Sequence, residues 1–271
     1  MATHSNPEYD GEWHRPTAFY NRYVKYAVYA LIVGFVLFSI WDLRVSLDRF
    51  LQGMSAGATL VSNMLPPAAT PSQFQLMVRG VVESIVMSIL ATAIGVVVSV
   101  PVAFMAANNL APKPVYAVGR GIVSVTRAFH ELIVAIVMVK AVGFGPLAGV
   151  LALSFKTVGF FGKLLAEEIE DIDVGQMEAV EAVGAGKLHI YIFGVLPQVI
   201  PRVIGLTIYR LDINLRHSTV VGIVGAGGIG ITLLNSFQKY DYQFSSLIIL
   251  VIVCLVIVGE VVSAYARRRV Q

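Results

Sequence analysis

The chain has 271 residues, 56% hydrophobic and only 14% charged, with a mean hydropathy of +0.75. Soluble domains carry about 25% charge, so a soluble fold of this size could not cover its surface and the class is a polytopic membrane protein. The net charge of +3 is spread over dispersed basic residues, which excludes a nucleic-acid footprint, and the single cysteine, Cys254, excludes disulfide scaffolds and cysteine-based zinc sites.

Taken in order, residues 1–25 are polar and form a cytoplasmic N-terminal segment. The first apolar run, 26–41, has no cleavage-type site behind it and is expected to stay as a membrane helix, with Tyr26 and Tyr29 at one interface and Trp41 at the other. Residues 26–80 comprise this helix and an extracytoplasmic loop containing Leu65-Pro66-Pro67; its stretch 45–54 is amphipathic and suits the bilayer surface. A helix needs about 20 mostly apolar residues to cross the hydrocarbon. On that measure the transmembrane core, 81–271, holds further spans near 84–106, 115–142, 146–165, 199–215 and 247–266. The expected fold is all-α with about six membrane helices. Ten Lys and Arg residues (Arg15, Arg22, Lys25, Lys113, Arg120, Lys163, Lys187 and Arg267 to Arg269) fall on one side and four (Arg44, Arg49, Arg79 and Lys239) on the other. Positive charge collects inside, so both termini and the segment 167–197 are expected in the cytoplasm.

That segment is acidic: Glu167, Glu168, Glu170, Asp171, Asp173, Glu178 and Glu181 are seven of the chain's seventeen acids. Asp173 can cap a helix, with Gln176 three residues on completing a capping-box-like pair. The run 174–183 is helical in pattern and Gly184 is placed to end it. A second helical run, 187–196, leads to Pro197, and Pro197 and Pro201 are expected to open the next span. A solvated loop with an acidic face is one outcome. A DNA-binding helix-turn-helix is excluded, because the local negative charge would repel phosphate.

A sharper outcome follows from spacing. Glu178-Ala179-Val180, Gly184 four residues later, and Leu196-Pro197 twelve residues after that resemble the EAA signature of ABC importer permeases, with Val180 in place of the second alanine. The resemblance implies a coupling helix that docks on an ATPase subunit, carried by Glu178, Ala179, Val180, Glu181, Ala182, Gly184, Leu196 and Pro197. Small side chains there let a partner surface approach closely.

The run Gly225-Ala226-Gly227-Gly228-Ile229-Gly230 satisfies G-x-G-x-x-G, but a dinucleotide site needs a βαβ unit around it and the flanks here are a span and a polar linker. A glycine bend lining a cavity, from Gly222 through Gly225, Gly227, Gly228 and Gly230, is expected instead. The stretch 216–230, together with Arg127-Ala128-Phe129-His130-Glu131-Leu132, Gly143-Phe144-Gly145-Pro146 and 209–216, resembles the phosphonate branch of these permeases and their methionine-type relatives, over roughly 84–269.

Ionisable groups inside spans cost about 2.5–3.5 kcal/mol each and normally face a cavity, a partner charge or an interface. Arg127, His130 and Glu131 are expected to share one helix face; Arg210, Asp212 and Arg216 occupy another span and Lys156 a third. Internal pairing, such as Arg127 with Glu131 or Arg210 with Asp212, is one arrangement. A cationic lining for an oxyanion, from Arg127, His130, Glu131, Arg210, Arg216 and Ser218, is the other, since a guanidinium can bond two oxygens. No G-x-x-x-x-G-K-[ST] occurs, so ATP and Mg are expected in a partner and none is expected on this chain.

By resemblance, the chain is the non-catalytic permease subunit of an ATP-driven importer in a bacterial inner membrane. Its cargo would be phosphonate, phosphate or phosphite. Two ATPase subunits, a periplasmic or lipid-anchored substrate-binding protein, a second copy of the chain and membrane lipid are the expected partners. A methionine-type importer, an ion-gradient-driven secondary transporter using Arg127, Glu131, Asp212 and Glu260, and a membrane enzyme using His130 and Glu131 stand as alternatives.

Overall fold

The architecture is described from a computed structural model for residues 21–43 and 46–270. Expectations for residues 1–20, including Arg15, for Arg44 and for residue 45 fall outside these residues, as does the side chain of Arg269. The chain divides into two compact units, Met1–Thr59 and Leu60–Gln271. Among the described residues every regular element is helical.

In the first unit, α1 (Arg22–Asp42) starts where the Asn21 side chain accepts the Tyr23 amide at 2.9 Å. None of its residues is buried, although it is long and apolar enough to cross a membrane, as a helix whose face is lipid would be. The amphipathic α2 (Leu47–Asn63) follows.

The second unit is built on two long helices, α3 (Pro71–Ala106) and α6 (Pro146–Glu170). At the start of α3 the Thr70 hydroxyl accepts the Gln73 amide while Gln73 Oε1 accepts the Thr70 amide at 2.7 Å, and Pro71 occupies the first turn where no donor is missed. The helix thus begins thirteen residues before the predicted 84. Hydrocarbon supplies no hydrophobic drive between helices, so small side chains and interhelical hydrogen bonds must hold them together. Ser84, Ser88, Thr92 and Ser99 accordingly form a buried row along α3, where Ser99 donates to α6 and Thr92 and Ser84 accept from Asn214 and Ile229 farther along the chain. One apolar cluster, around Phe161, Leu165, Ile169 and Val195, fills one end of this pair, and another, around Met87, Leu153 and Val221, fills the other.

The predicted continuous span 115–142 is two helices, α4 (Lys113–Ala128) and α5 (Glu131–Val142), bent by 91° at Phe129-His130. The break is held from both sides. Lys156 Nζ on α6 donates to the carbonyls of Phe129 at 2.7 Å and Arg127 at 3.4 Å, and His130 Nδ1 accepts the Leu132 amide at 3.3 Å. Charges of the right sign meet the two exposed helix ends. Arg127 and Glu131 therefore do not share a helix face.

After α6 comes α7 (Val174–Ala182), then a helical run that is uninterrupted from Lys187: α8 (Lys187–His189), a π-helical turn (Ile190–Val195) and α9 (Leu196–Val221). Pro197 stands in the first turn of α9, as expected, and Pro201 lies inside it, while the helical run extends back beyond them to Lys187. The π turn absorbs the mismatch, since the Leu196 amide reaches back five residues to the Tyr191 carbonyl just ahead of the prolines that lack donors. A 3₁₀ turn (Gly222–Val224), the glycine bend, α10 (Ile229–Gln238) and α11 (Tyr242–Val270) complete the chain. Counting the bent α4–α5 pair as one, the described helices supply up to six candidate membrane spans.

Candidate functional site

Three helices, α4, α6 and α9, bring the intramembrane cations together. A cavity of about 490 Å³ is lined by Arg127, Lys156, Phe160, Tyr209, Arg210, Ile213, Arg216 and His217. Four of these carry a fixed positive charge and none is an acid. Arg210 is 4% exposed; its guanidinium lies 5.1 Å over the Phe160 ring and is aimed by its Nε, which donates to Thr157 Oγ1 at 2.9 Å.

The donor and acceptor count around Arg210 closes on one side only. Thr157 gives its own proton to the Leu153 carbonyl and accepts from both Arg210 Nε and Asn214 Nδ2, the latter at 3.1 Å. Thr92 likewise donates to Ser88 and accepts from Asn214 Nδ2 at 2.9 Å. Both hydroxyl protons are committed and Thr157 accepts twice, and among the described residues Arg210 Nη2 and Asn214 Oδ1 are buried without a hydrogen-bond partner. A buried charged donor left open is costly, about 1–3 kcal/mol or more, so it marks a place where a ligand acceptor is welcome.

The pairings differ from those the sequence suggests. Asp212 faces Arg216 at 3.8 Å, not Arg210, and Arg216 also lies 3.9 Å from Glu260. Glu131 lies 3.5 Å from His130 Nε2 and 3.6 Å from His217 Nδ1, not beside Arg127. Arg202 meets Glu168 at 3.4 Å. Ser218 is fully buried and its hydroxyl donates to the Leu215 carbonyl at 2.8 Å. Lys156, Thr157 and Asn214 carry much of the geometry; a polar side chain within an apolar run was the available signal for each.

In the glycine bend, Gly225, Gly227 and Gly228 all take positive φ, at 92°, 81° and 73°. At Gly227 a side chain would also strike the backbone of Pro146. The bend from Gly225 to Gly230 is buried against α3 and α6: the Gly145 amide donates to the Gly225 carbonyl at 3.1 Å, the Gly228 amide to Glu83 at 3.3 Å and the Ile229 amide to Ser84 Oγ at 3.0 Å. Gly222 opens the 3₁₀ turn before it and Gly230 lies in the first turn of α10.

At the far end, α7 is capped by Asp173, whose carboxylate accepts the Gly175 amide at 2.9 Å, and ends as expected at Gly184, with φ +78°. The capping-box partner is not Gln176. Gln198, on α9, accepts the Asp173 amide at 2.9 Å and donates to the carbonyls of Asp173 at 3.3 Å and Gly194 at 2.6 Å, which ties α7 to the base of α9. Glu178, Ala179, Glu181, Ala182, Gly184, Leu196 and Pro197 are exposed and Val180 is partly so. Beside them Val183 is 82% exposed and Leu188 67%.

Several membrane spans, a charged cavity among them and a short exposed helix between two of them define the membrane component of a transporter. The chain belongs to the binding-protein-dependent transport system inner membrane component family, whose pattern matches residues 99–271. It is a permease subunit of the ABC importer class. It is 41% identical over 241 residues to the phosphite transport system permease protein PtxC of Stutzerimonas stutzeri, covering 88% of this chain and 87% of that one. It is 34% identical over 250 residues to the phosphate-import permease protein PhnE of Mycolicibacterium smegmatis, covering 92% of this chain and 47% of that longer protein. Its fold is similar to a chain of the inward-facing MetNI methionine ABC transporter, with a TM-score of 0.63 at 22% identity over 75% of this chain and 100% of that one. At that identity the likeness concerns the fold alone.

Proposed function

We propose that this permease passes a small phosphorus oxyanion (phosphite, phosphate or a phosphonate) through the cavity between α4, α6 and α9. The observation that carries this is Arg210, whose buried Nη2 has no hydrogen-bond partner among the described residues and which lines a cavity whose charged residues are all cations. Arg suits such cargo because its planar fork bonds two oxygens at once. The printed names of the relatives, a phosphite and a phosphate permease, support the same cargo. Arg127 and Arg216 would guide the anion to Arg210, with His130, Glu131 and Ser218 beside the path and the glycine bend Gly222–Gly230 holding the ends of α9 and α10 around it.

The exposed face of α7 would dock on an ATPase subunit, where Val183 and Leu188 offer apolar contact and Glu178 a charged one. Two such subunits would hydrolyse ATP with Mg, a substrate-binding protein would deliver the cargo, and two copies of this chain would enclose one pathway. Both termini would lie in the cytoplasm. The test is ATP-driven uptake of radiolabelled phosphite, phosphate and methylphosphonate by proteoliposomes holding the complete transporter. Uptake of at least one probe, and none of methionine, is expected; uptake of methionine alone overturns the proposal.

A further inference from the structure

Beside the cavity, Glu131 differs from Asp212. Both are largely shielded, with side-chain exposures of 15% and 10%. Asp212 sits within one turn of Arg216 on its own helix. Glu131 opens α5 at the break, and it faces two histidines at 3.5 and 3.6 Å, longer than the roughly 2.7–2.9 Å of a tight charge-assisted hydrogen bond. Lys156, which holds the Phe129 carbonyl two residues before Glu131, and Arg210 line the cavity alongside. Around it, Arg210 Nη2 and His217 Nδ1 are buried with no hydrogen bond completed. The neighbourhood therefore holds buried polar atoms without a partner, a guanidinium donor among them, and one carboxylate that reaches none of them well. A tetrahedral oxyanion, with oxygens on several sides, would fit that gap better than a carboxylate fixed to a helix end.

We infer that Glu131 is an internal counter-anion that the cargo displaces. Its carboxylate offsets Lys156 and Arg210; an arriving oxyanion takes over those cations and leaves Glu131 to the N-terminus of α5, whose dipole favours it. Displacing a charge already present weakens binding, and weak binding is what allows release on the far side. The inference rests on the oxyanion proposal above and adds a cause for low affinity inside the membrane.

The test uses the complete transporter in proteoliposomes with phosphite, phosphate and methylphosphonate as probes. Glu131→Gln keeps the shape and removes the charge. Loss of a like charge a few ångströms away is worth about tenfold or more in affinity, so KM at saturating binding protein is expected to fall about tenfold and kcat to fall with it, as release becomes slow. A merely structural role would raise KM or lower kcat alone. An unchanged KM and kcat, or a raised KM, overturns the inference. Should Glu131→Gln fail to reach the membrane, Glu131→Asp decides. Its carboxylate is withdrawn from His217, so KM is expected to fall severalfold, and an unchanged KM overturns the inference just as well. If the wild-type complex imports none of the three probes, the oxyanion proposal itself fails; if it imports one and Glu131→Gln matches it, only the counter-anion does.

Discussion

The cavity at the α4–α5 break and the α7 segment are built on opposite plans. The cavity buries charge: Arg210 is 4% exposed and is aimed by a threonine network spanning α3, α6 and α9. The α7 segment exposes apolar side chains, leaving Val183 at 82%, and is tied to α9 by the hydrogen bonds of Gln198 and by Met177, which packs on the cluster holding Val199. Buried cations with open donors await a small charged solute. An exposed short helix with apolar tips awaits a protein surface. The two regions share α9, which carries Gln198 near its start and Arg210 farther along. A push on α7 therefore has a covalent and hydrogen-bonded route to the cavity.

Substitutions at each end should separate these plans. The largest effect is expected at Arg210: removing the charged donor costs about 1.5–3 kcal/mol of anion interaction, so Arg210→Ala should lower phosphite uptake about 10- to 100-fold while the complex still assembles and hydrolyses ATP. At the other end Gly184→Trp and Glu178→Lys should cut uptake about tenfold in the opposite manner. Gly184 holds φ +78°, where any side chain adds about 1–2 kcal/mol of strain, and a bulky ring blocks docking. For both variants membrane insertion should be normal, and ATP hydrolysis should no longer respond to loaded binding protein. Full response with normal uptake would leave α7 a solvated acidic loop.

Gln198→Leu should act more mildly. It strands the Asp173 amide and two carbonyls at a partly wet site, so uptake should fall about threefold, with ATP hydrolysed per anion imported rising by a similar factor. Equal losses in hydrolysis and uptake would mean that Gln198 supports folding and not transmission. The smallest effect is expected at Arg127, which is exposed at the cavity rim; screened charges there are worth about 0.2–1 kcal/mol, so Arg127→Ala should raise KM by no more than about fivefold and leave kcat alone.

The spans and the α7 turn were legible because their signals are local. Apolar runs of sufficient length mark the helices, and Asp173 with Gly184 marks both ends of α7. The α4–α5 break was not legible. The sequence from Arg127 to Leu132 contains neither Pro nor Gly, and the break is held by Lys156, which lies 27 residues from Phe129 in the chain. For the same reason the charge pairs came out differently: once α5 turns away by 91°, Glu131 meets His217 of α9 in place of Arg127. The prolines told only part of the story. Pro197 does stand in the first turn of α9, but the π turn before it lets the helix run on from α8 into the span. That continuity is what joins the two regions mechanically, and no pattern of apolar residues encodes it.

The most direct measurement is a structure of the complete transporter trapped during ATP turnover in phosphite. The expected result is an anion in the cavity bridging Arg210 Nη2 and Lys156 Nζ, with the Glu131 carboxylate drawn away from His217. An anion crossing elsewhere, with the Arg210 guanidinium still without an acceptor, would contradict the proposed path.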